Sequence, residues 1–407
     1  MKILLINTVC GVGSTGRICT DIADLLLAQG HECRIAYGRG NVPEKYRPIA
    51  RQIGSTLQIK AHAGLARLTD SAGFHSRRAT KELIEWIDHW KPDLIHLHNL
   101  HGYYVNVECL FQYVKAKDIP VVWTFHDCWP YTGHCVYSDY IGCDRWQTGC
   151  YSCPKKHEYP VSMLLDRSKQ NYQRKKAAFT GVKRLAIVTV SDWLKAEVKQ
   201  SFMKDYKVVR IYNGIDQSVF RPSHSDIKKE LGIDGKRMLL GVSDRWSERK
   251  GLSFFYRYAE EKKPDEALVM VGFNKDELPK VPQGIIALPR TDLVQQLVNL
   301  YSAADIVLNP SVEETFGLVT AEALSCGTPV IVQNATACPE LVDESCGRII
   351  EKNNYEQFKE AIINLENNLP DAQACLTRAT LFDKQTNYMK YIHLYQYILE
   401  GKLCEIH

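Results

Sequence analysis

The sequence predicts an α/β protein with two Rossmann-like, doubly wound domains. Two observations carry this prediction: short β-branched runs alternate with helical patterns, and the chain is 407 residues long. The alternation is typical of parallel sheets that are covered by helices on both faces. The length exceeds what one hydrophobic core usually supports and suits two domains of about 200 residues each.

Strands are predicted in both halves of the chain, with helical patterns between them. In the first half they are Ile3–Ile6, Cys33–Tyr37, Leu94–Leu97, Val121–Phe125, Ala186–Val190 and Val208–Tyr212. In the second half they are Met238–Val242, Leu268–Val271, Ile285–Leu288, Ile306–Leu308, Val330–Val332 and Arg348–Ile350. Helical patterns follow the first strand as far as Gly30, run from Asp292 to Tyr301, and follow Gly317.

The pattern breaks near Gly214–Pro222, where Asn-Gly, serine and proline interrupt it. We therefore expect one domain over residues 1–214 and a second over residues 215–385. Residues 386–407 have apolar side chains at helical spacing and are expected to form a terminal helix. Ligands of doubly wound sheets bind at the carboxyl ends of the strands, so we expect the site in a cleft between the domains.

Composition favours a cytoplasmic globular enzyme. The chain is 45% hydrophobic and 24% charged, and its net charge of +4 gives no argument for a nucleic-acid partner. No apolar run approaches the roughly 18 residues that span a bilayer. The apolar N-terminal segment is too short for a signal peptide and is predicted to be the first strand.

Basic residues nevertheless cluster locally. One cluster consists of Arg67, Arg77, Arg78 and Lys81, and the other of Lys169, Arg174, Lys175, Lys176, Lys183 and Arg184. Solvated helix faces are one interpretation. The other is peripheral contact with an anionic inner membrane face, or with the diphosphate of a lipid.

The most informative stretch runs from Glu314 to Pro329. Seven residues separate Glu314 from Glu322, and Gly317 lies in the turn that opens a short helix. Glycine lets the backbone approach a ligand closely, and a helix N-terminus attracts anions. Glu322 lies about one and a half turns into the helix, where a carboxylate is too close to a phosphate to be its ligand. It is better placed to accept hydrogen bonds from neutral hydroxyls, such as a ribose diol. The alternative is an ordinary helix with acids in its first turn.

The chain resembles family 4 of the retaining glycosyltransferases, which have the GT-B fold. Four stretches carry the resemblance in the family's order: Thr124–Asp127, Tyr212–Asp216, Gly241–Leu252 and Glu314–Glu322. The resemblance extends from the first strand to the last helix. It implies an N-terminal acceptor domain and a C-terminal donor domain that face a central cleft. It also implies a last helix that crosses back to the N-terminal domain.

The resemblance implies retaining transfer of a hexosyl unit from a UDP- or GDP-sugar to a saccharide acceptor. The setting would be bacterial capsule, exopolysaccharide or lipopolysaccharide synthesis. The acceptor would be lipid-linked, with undecaprenyl diphosphate as one candidate carrier. No catalytic metal is required, because the departing phosphate oxygen itself takes the acceptor proton.

The same resemblance assigns four catalytic residues. Arg245 and Lys250 would stabilise the negative charge on the leaving diphosphate, one as a planar fork and the other as a point charge. Glu314 would contact the donor hexose and support an oxocarbenium-like transition state. His126 would donate a hydrogen bond to, or accept one from, a donor sugar hydroxyl.

Donor-binding residues follow from the same motifs. Glu322 would bind the ribose diol, and the backbone amides of Thr315, Phe316 and Gly317 would bind the diphosphate. The base would be recognised around residues 288–291, which include Arg290.

A glycine loop, Gly11–Gly16, follows the first strand and satisfies the dinucleotide-binding fingerprint. The second strand, however, is followed by Arg39 instead of the acid that binds the NAD ribose. The glycosyltransferase interpretation needs only a loop, centred on Gly13, that brings backbone close to the donor diphosphate and the acceptor. The alternative is an oxidoreductase in which Arg39 meets the phosphate of NADP.

Four cysteines lie close together in a segment, about 128–154, that departs from the general family pattern. They are Cys135, Cys143, Cys150 and Cys153. Their spacing suits a closed, structural zinc site, and metal binding would help a segment with little apolar pattern to fold. A redox pair, disulfides or inert thiols are the alternatives. A non-catalytic module that uses this zinc loop to bind a partner or RNA is the second alternative function.

Overall fold

The computed structural model describes residues 1–291 and 293–403, and the chain divides into two compact units. One unit comprises Met1–Tyr212 together with the chain from Asn387 onward, and the other comprises Asn213–Thr386. Each unit contains a parallel β-sheet with helices between successive strands. The predicted α/β fold class is therefore confirmed.

The first unit has a seven-stranded parallel sheet in the order β3-β2-β1-β4-β5-β6-β7. Its strands are β1 (Lys2–Asn7), β2 (Glu32–Tyr37), β3 (Ala50–Gln52), β4 (Leu94–Leu97), β5 (Val121–Phe125), β6 (Leu185–Thr189) and β7 (Lys207–Arg210). Its first helices are α1 (Gly13–Ala28), α2 (Thr56–Thr69), α3 (Arg77–Trp90), α4 (Val107–Lys117), α5 (Ser168–Phe179) and α6 (Asp192–Gln200). Strand β3 was not predicted, because Ala50-Arg51-Gln52 has no apolar alternation and pairs only at the sheet edge.

The second unit has a six-stranded parallel sheet in the order β10-β9-β8-β11-β12-β13. Its strands are β8 (Arg237–Val242), β9 (Glu266–Phe273), β10 (Ile285–Pro289), β11 (Ile306–Asn309), β12 (Val330–Gln333) and β13 (Gly347–Ile350). Its helices are α7 (Ile227–Glu230), α8 (Leu252–Glu261), α9 (Val294–Ala303), α10 (Leu318–Ser325), α11 (Tyr355–Asn367) and α12 (Ala372–Ala379). All twelve predicted strands are present within two residues of their expected bounds. The helix predicted from Asp292 begins at Val294, and Asp292 itself lies outside the described residues.

The C-terminal helix α13 (Lys384–Leu399) packs into the core of the first unit. Its buried residues include Tyr388, Ile392 and Tyr395, which lie in one cluster with β1 and α1. The Tyr395 hydroxyl lies 2.7 Å from Nδ1 of buried His96 on β4. Apolar burial on this scale holds α13 on the first sheet.

The parallel arrangement gathers the loops that carry chemistry at one edge of each sheet. In the first unit, the loops after β1, β4 and β5 carry the glycine loop, His98–His101 and His126. In the second unit, the loops after β8 and β11 carry Lys250 and Glu314. These are the carboxyl ends of the strands, where ligands of such sheets bind. Within residues 1–291 and 293–403, no helix is both long and apolar enough to cross a membrane.

Candidate active-site residues

An ion pair joins the two motifs of the second unit. The turn Glu248–Lys250 ends at Gly251, whose φ is +73° and where a Cβ would meet the Pro310 carbonyl oxygen at 2.5 Å. Only glycine tolerates both conditions, so Gly251 allows this turn to lie against the loop after β11. Lys250 Nζ there forms a hydrogen-bonded ion pair with Glu314 Oε1, and both side chains are 16% exposed.

Glu314 is held as a carboxylate. Burial alone would raise its pKa, but the adjacent cations Lys250 and Arg249 outweigh burial and lower the pKa below its usual value. Its backbone is also fixed, since its N–H donates to Thr336 Oγ1 at 2.9 Å and its carbonyl accepts from Ala337 N at 3.2 Å. The result is a rigid negative charge that can stabilise a developing positive charge.

Arg249 is a site residue that the sequence analysis missed. Its Nη1 donates to the Glu313 carbonyl at 2.9 Å, and its Nε lies 3.9 Å from the fully buried Glu313 carboxylate. It thereby supports the backbone immediately before Glu314 and is a positioning residue. The sequence shows two adjacent cations, Arg249-Lys250, and two adjacent acids, Glu313-Glu314. It does not show that they meet, because they lie on two loops that are 62 residues apart or more.

Helix α10 starts where the sequence analysis expected an anion site. Gly317 is its N-cap, with φ +104° and ψ +62° in the left-handed region. Thr315 and Phe316 are buried, and the Phe316 ring packs edge-on against Phe382 at 5.6 Å. The side chain of Phe316 therefore belongs to the core, which leaves the backbone as its means of contacting a ligand.

Glu322 is a buried carboxylate on α10, with 8% of its surface exposed. It accepts a hydrogen bond from the hydroxyl of fully buried Tyr301 at 3.1 Å. A buried carboxylate needs hydrogen-bond donors, and hydroxyl groups meet that need without adding charge. This environment is chemically suited to a diol.

Two exposed arginines lie at the loop after β8: Arg245 belongs to the loop, and Arg290 contacts it from the end of β10. Arg245 is exposed, its N–H donates to Ser243 Oγ at 3.2 Å, and within the described ranges no carboxylate lies within 4 Å of its guanidinium. The Arg290 guanidinium donates to the Asp244 carbonyl, so Arg290 lies beside the same loop. The structure thus groups Arg290 with the Arg245 loop, and Lys250 with Glu314.

His126 in the first unit is a neutral, buried histidine. Its Nε2 lies 3.0 Å from Nδ1 of His98, and the two rings stack. Burial is the main cause that lowers the pKa of His126 to about 4. At neutral pH it therefore carries no charge, but it can donate a hydrogen bond to a hydroxyl or accept one from it.

A hydrogen-bonded group of His101, Asp127 and Tyr159, here called the histidine array, was missed by the sequence analysis. His101 Nε2 lies 2.7 Å from Asp127 Oδ2, and His101 Nδ1 lies 3.0 Å from the Tyr159 hydroxyl. The signal in the sequence was the spacing of His98 and His101 directly after a buried strand. Tyr159 could not be connected with them, because it lies 58 residues away along the chain.

The glycine loop has room for a ligand only at Gly13. Gly13 has φ +65°, and among described residues no neighbouring segment lies within 4 Å of the position that a Cβ would take. At Gly11 a Cβ would instead meet the Pro43 ring at 2.8 Å. The first glycine is thus required by packing, whereas the open position of Gly13 is compatible with a close ligand.

The predicted zinc site is not supported by the structure. Cys135, Cys143, Cys150 and Cys153 line one small cavity, but no group of three or more metal-binding side chains in the described part of the chain could hold an ion. The described cysteines are free thiols. Burial raises the pKa of Cys150 to about 11, and a hydrogen bond with Cys135 raises the pKa of Cys153. Without a metal, these thiols are protonated at neutral pH.

Two family models match the chain. The model for Glycosyltransferase Family 4 matches residues 15–219, and the model for Glycosyl transferases group 1 matches residues 223–381. A curated relative, WcaC of Escherichia coli (strain K12), is named as a colanic acid biosynthesis glycosyl transferase. It is 25% identical over 394 residues, which cover 88% of this chain and 89% of the relative.

Solved structures share the fold. A glycosyltransferase from Rickettsia africae superimposes with a TM-score of 0.69 at 18% identity, covering 98% of both chains. Sucrose-phosphate synthase from Thermosynechococcus elongatus gives 0.72 at 16% identity, over 98% of this chain and 100% of that one. Anabaena Alr3699/HepE in complex with UDP gives 0.67 at 16% identity, over 97% and 100%.

These matches decide between the alternatives that the sequence left open. Neither the oxidoreductase nor the non-catalytic zinc-loop module agrees with two glycosyltransferase models that together match most of the chain. The half-buried Glu314, the buried Glu322 and the cations facing Glu314 also have no part in either alternative. The chain belongs to glycosyltransferase family 4, and it is a glycosyltransferase of the GT-B fold.

Proposed function

We propose that this glycosyltransferase transfers a hexosyl unit, with retention of configuration, from a UDP- or GDP-sugar to a saccharide acceptor. The observation that carries the proposal is the ion pair between Lys250 and Glu314, in the same unit as the buried Glu322. The pair brings a cation for phosphate and a carboxylate for an oxocarbenium-like centre to one place. UDP-glucose bound to Anabaena HepE, which has the same fold, supports a nucleotide-sugar donor.

We assign the donor to residues 215–385 and the acceptor to residues 1–214, with residues 386–407 completing the acceptor domain. Glu322 accepts hydrogen bonds from the ribose diol, and the amides of residues 315–317 at the start of α10 bind the diphosphate. Arg290 contacts the base region, and Gly13 lets backbone approach the donor and acceptor.

In the proposed step, the bond between the sugar C1 and the terminal phosphate oxygen breaks first. Arg245 and Lys250 stabilise the charge that develops on that oxygen, and Glu314 stabilises the cationic sugar. The acceptor oxygen attacks C1 from the face that the phosphate leaves, and the phosphate oxygen takes its proton. His126 binds a sugar hydroxyl as a neutral partner. No protein base is needed.

We propose surface polysaccharide biosynthesis as the setting, with a saccharide on undecaprenyl diphosphate as the acceptor at an inner membrane face. The similarity to WcaC, which is named for colanic acid biosynthesis, supports this setting.

The donor assignment predicts selective stabilisation by one nucleoside diphosphate. Thermal unfolding would be followed with UDP, GDP, ADP and NADPH. A ligand at one hundred times its Kd adds about 2.7 kcal/mol, which raises the Tm by several degrees. We expect UDP or GDP to give this shift. A shift with NADPH alone, or with ADP alone, would contradict the proposed donor class.

A further inference from the structure

The first unit contains a large cavity with positively charged walls. Its volume is about 1060 Å³, and Arg39, Arg47, Lys60 and Arg67 line it. Throughout the described ranges, none of these four cations has a carboxylate within 4 Å, and no described lining residue is acidic. Four unpaired cations around one concave surface concentrate positive potential there. The cavity is therefore suited to an anion.

One face of helix α2 forms a wall of this cavity. Lys60, Ala63, Gly64 and Arg67 occupy successive turns of that face and all line the cavity. Glycine inside a helix is less favourable than alanine. Packing does not require it here, because in the described chain no side chain lies within 4 Å of where a Gly64 Cβ would be. Small residues between two cations leave room for a bound group.

The cavity also adjoins the histidine array. Tyr103 lines it, is buried, and has φ +66°, a left-handed conformation that non-glycine residues rarely adopt. The Arg39 guanidinium lies 6.0 Å from the Tyr103 ring, which contacts Tyr159 edge-on at 6.1 Å. Tyr159 in turn bonds His101. Only the rings of Tyr103 and Tyr159 would thus separate a group bound in the cavity from the His101–Asp127 pair.

An exposed apolar surface flanks the same helix. Leu57, Leu65 and Leu68 lie on the neighbouring face of α2, and Leu57 is 77% exposed. The Met163 N–H donates to the Arg67 carbonyl at 2.6 Å, which brings exposed Leu164 to the same end of the helix. Exposed apolar side chains beside a cationic cavity match a ligand that carries an apolar chain next to an anionic group.

We propose that this cavity binds the diphosphate of a lipid-linked saccharide acceptor, with the lipid along the exposed leucines of α2. The proposal rests on the proposed glycosyl transfer and assigns the acceptor's anionic group to named residues. Arginine binds phosphate oxygens through a planar fork of donors, and Lys60 adds a point charge. A lipid diphosphate and a soluble sugar diphosphate share the same anionic chemistry, and the apolar surface favours the former.

The test is calorimetric titration of farnesyl diphosphate, inorganic pyrophosphate and farnesol into the protein. The nucleoside diphosphate that stabilises the protein is present at saturation, so the donor site is occupied. We expect farnesyl diphosphate to bind more tightly than pyrophosphate, and farnesol to bind weakly. In the double variant Lys60→Gln/Arg67→Gln, the affinity for farnesyl diphosphate should fall at least about tenfold, because charge-assisted hydrogen bonds are lost.

Two further variants distinguish loss of binding at this cavity from the effects of a changed net charge and of misfolding. Lys81→Gln/Lys183→Gln removes the same charge from exposed positions that do not line the cavity, and it should bind like the wild type. Gly64→Leu keeps every charge, raises helix propensity and fills the cavity. It should lose farnesyl diphosphate binding without a lower Tm.

Equal affinity in the cavity variant and the wild type would overturn the proposal. Equal losses in the cavity variant and the Lys81/Lys183 control would also overturn it, because binding would then depend only on net charge. Pyrophosphate that binds as tightly as farnesyl diphosphate would overturn the assignment to a lipid-linked acceptor. Failure of the donor site is a separate result: no nucleoside diphosphate would then bind, whichever residues line this cavity.

Discussion

Replacement of Lys250 by methionine is expected to lower kcat by roughly 100- to 1,000-fold, the usual cost of losing one fixed group that stabilises developing charge. Lys250 is the cation paired with Glu314, and it is proposed to stabilise the leaving phosphate. Methionine keeps most of the side-chain volume and removes only the charge. Steady-state kinetics with the identified donor would measure the effect, which should appear in kcat more than in KM.

Loss of stability must be separated from loss of chemistry in this variant. Without Lys250, the half-buried Glu314 loses its main partner, so the free energy of unfolding should also fall. Lys250→Met/Glu314→Gln removes the unpaired charge and should recover stability while remaining inactive. Lys280→Met, at an exposed position of the same unit, should leave both properties unchanged. A Lys250→Met enzyme with kcat within threefold of the wild type would contradict the assigned role.

Replacement of Glu322 by alanine is expected to weaken donor binding by roughly 10- to 100-fold, since hydrogen bonds to a charged group contribute about 1.5–3 kcal/mol each. The carboxylate is buried and already oriented by Tyr301. Water therefore competes little for its hydrogen bonds with a diol, and binding costs little side-chain entropy. Calorimetry with the stabilising nucleoside diphosphate would give the change in Kd.

The diol assignment can be tested within the same experiment. Wild-type protein should prefer the ribonucleotide over its 2′-deoxy analogue, and Glu322→Ala should bind both equally. Tyr301→Phe removes only the hydrogen bond that orients Glu322, so it should weaken binding less than Glu322→Ala does. Discrimination that persists in Glu322→Ala would assign the ribose to other residues.

The sheets could be predicted because their strands are buried on both faces and read as continuous β-branched runs. Strand β3 could not, because it pairs over three residues at an edge and its residues Arg51 and Gln52 are exposed. The two carboxylates and two cations of the second unit were found because each lies in a recognisable local motif. Their roles stay predictions, and the variants above test those of Lys250 and Glu322.

The residues that were missed act through contacts between distant loops. Arg249 supports the segment before Glu314, and His101 joins Asp127 to Tyr159, yet neither pairing leaves a local pattern in the chain. The zinc prediction rested on a local pattern, the cysteine spacing, and the structure does not support it. The four cysteines line one cavity, but among the described residues no group of three or more metal-binding side chains is placed to hold an ion.

The most direct test of the central claim is the anomeric configuration of the transferred sugar. Proton NMR would follow the reaction of an α-linked UDP- or GDP-hexose, chosen by the nucleotide that stabilises the protein, and would report the first-formed linkage before any equilibration. The proposed same-face attack predicts an α-linked product. A β-linked product would contradict it, because it would require inversion at C1 and a protein base that this account does not include.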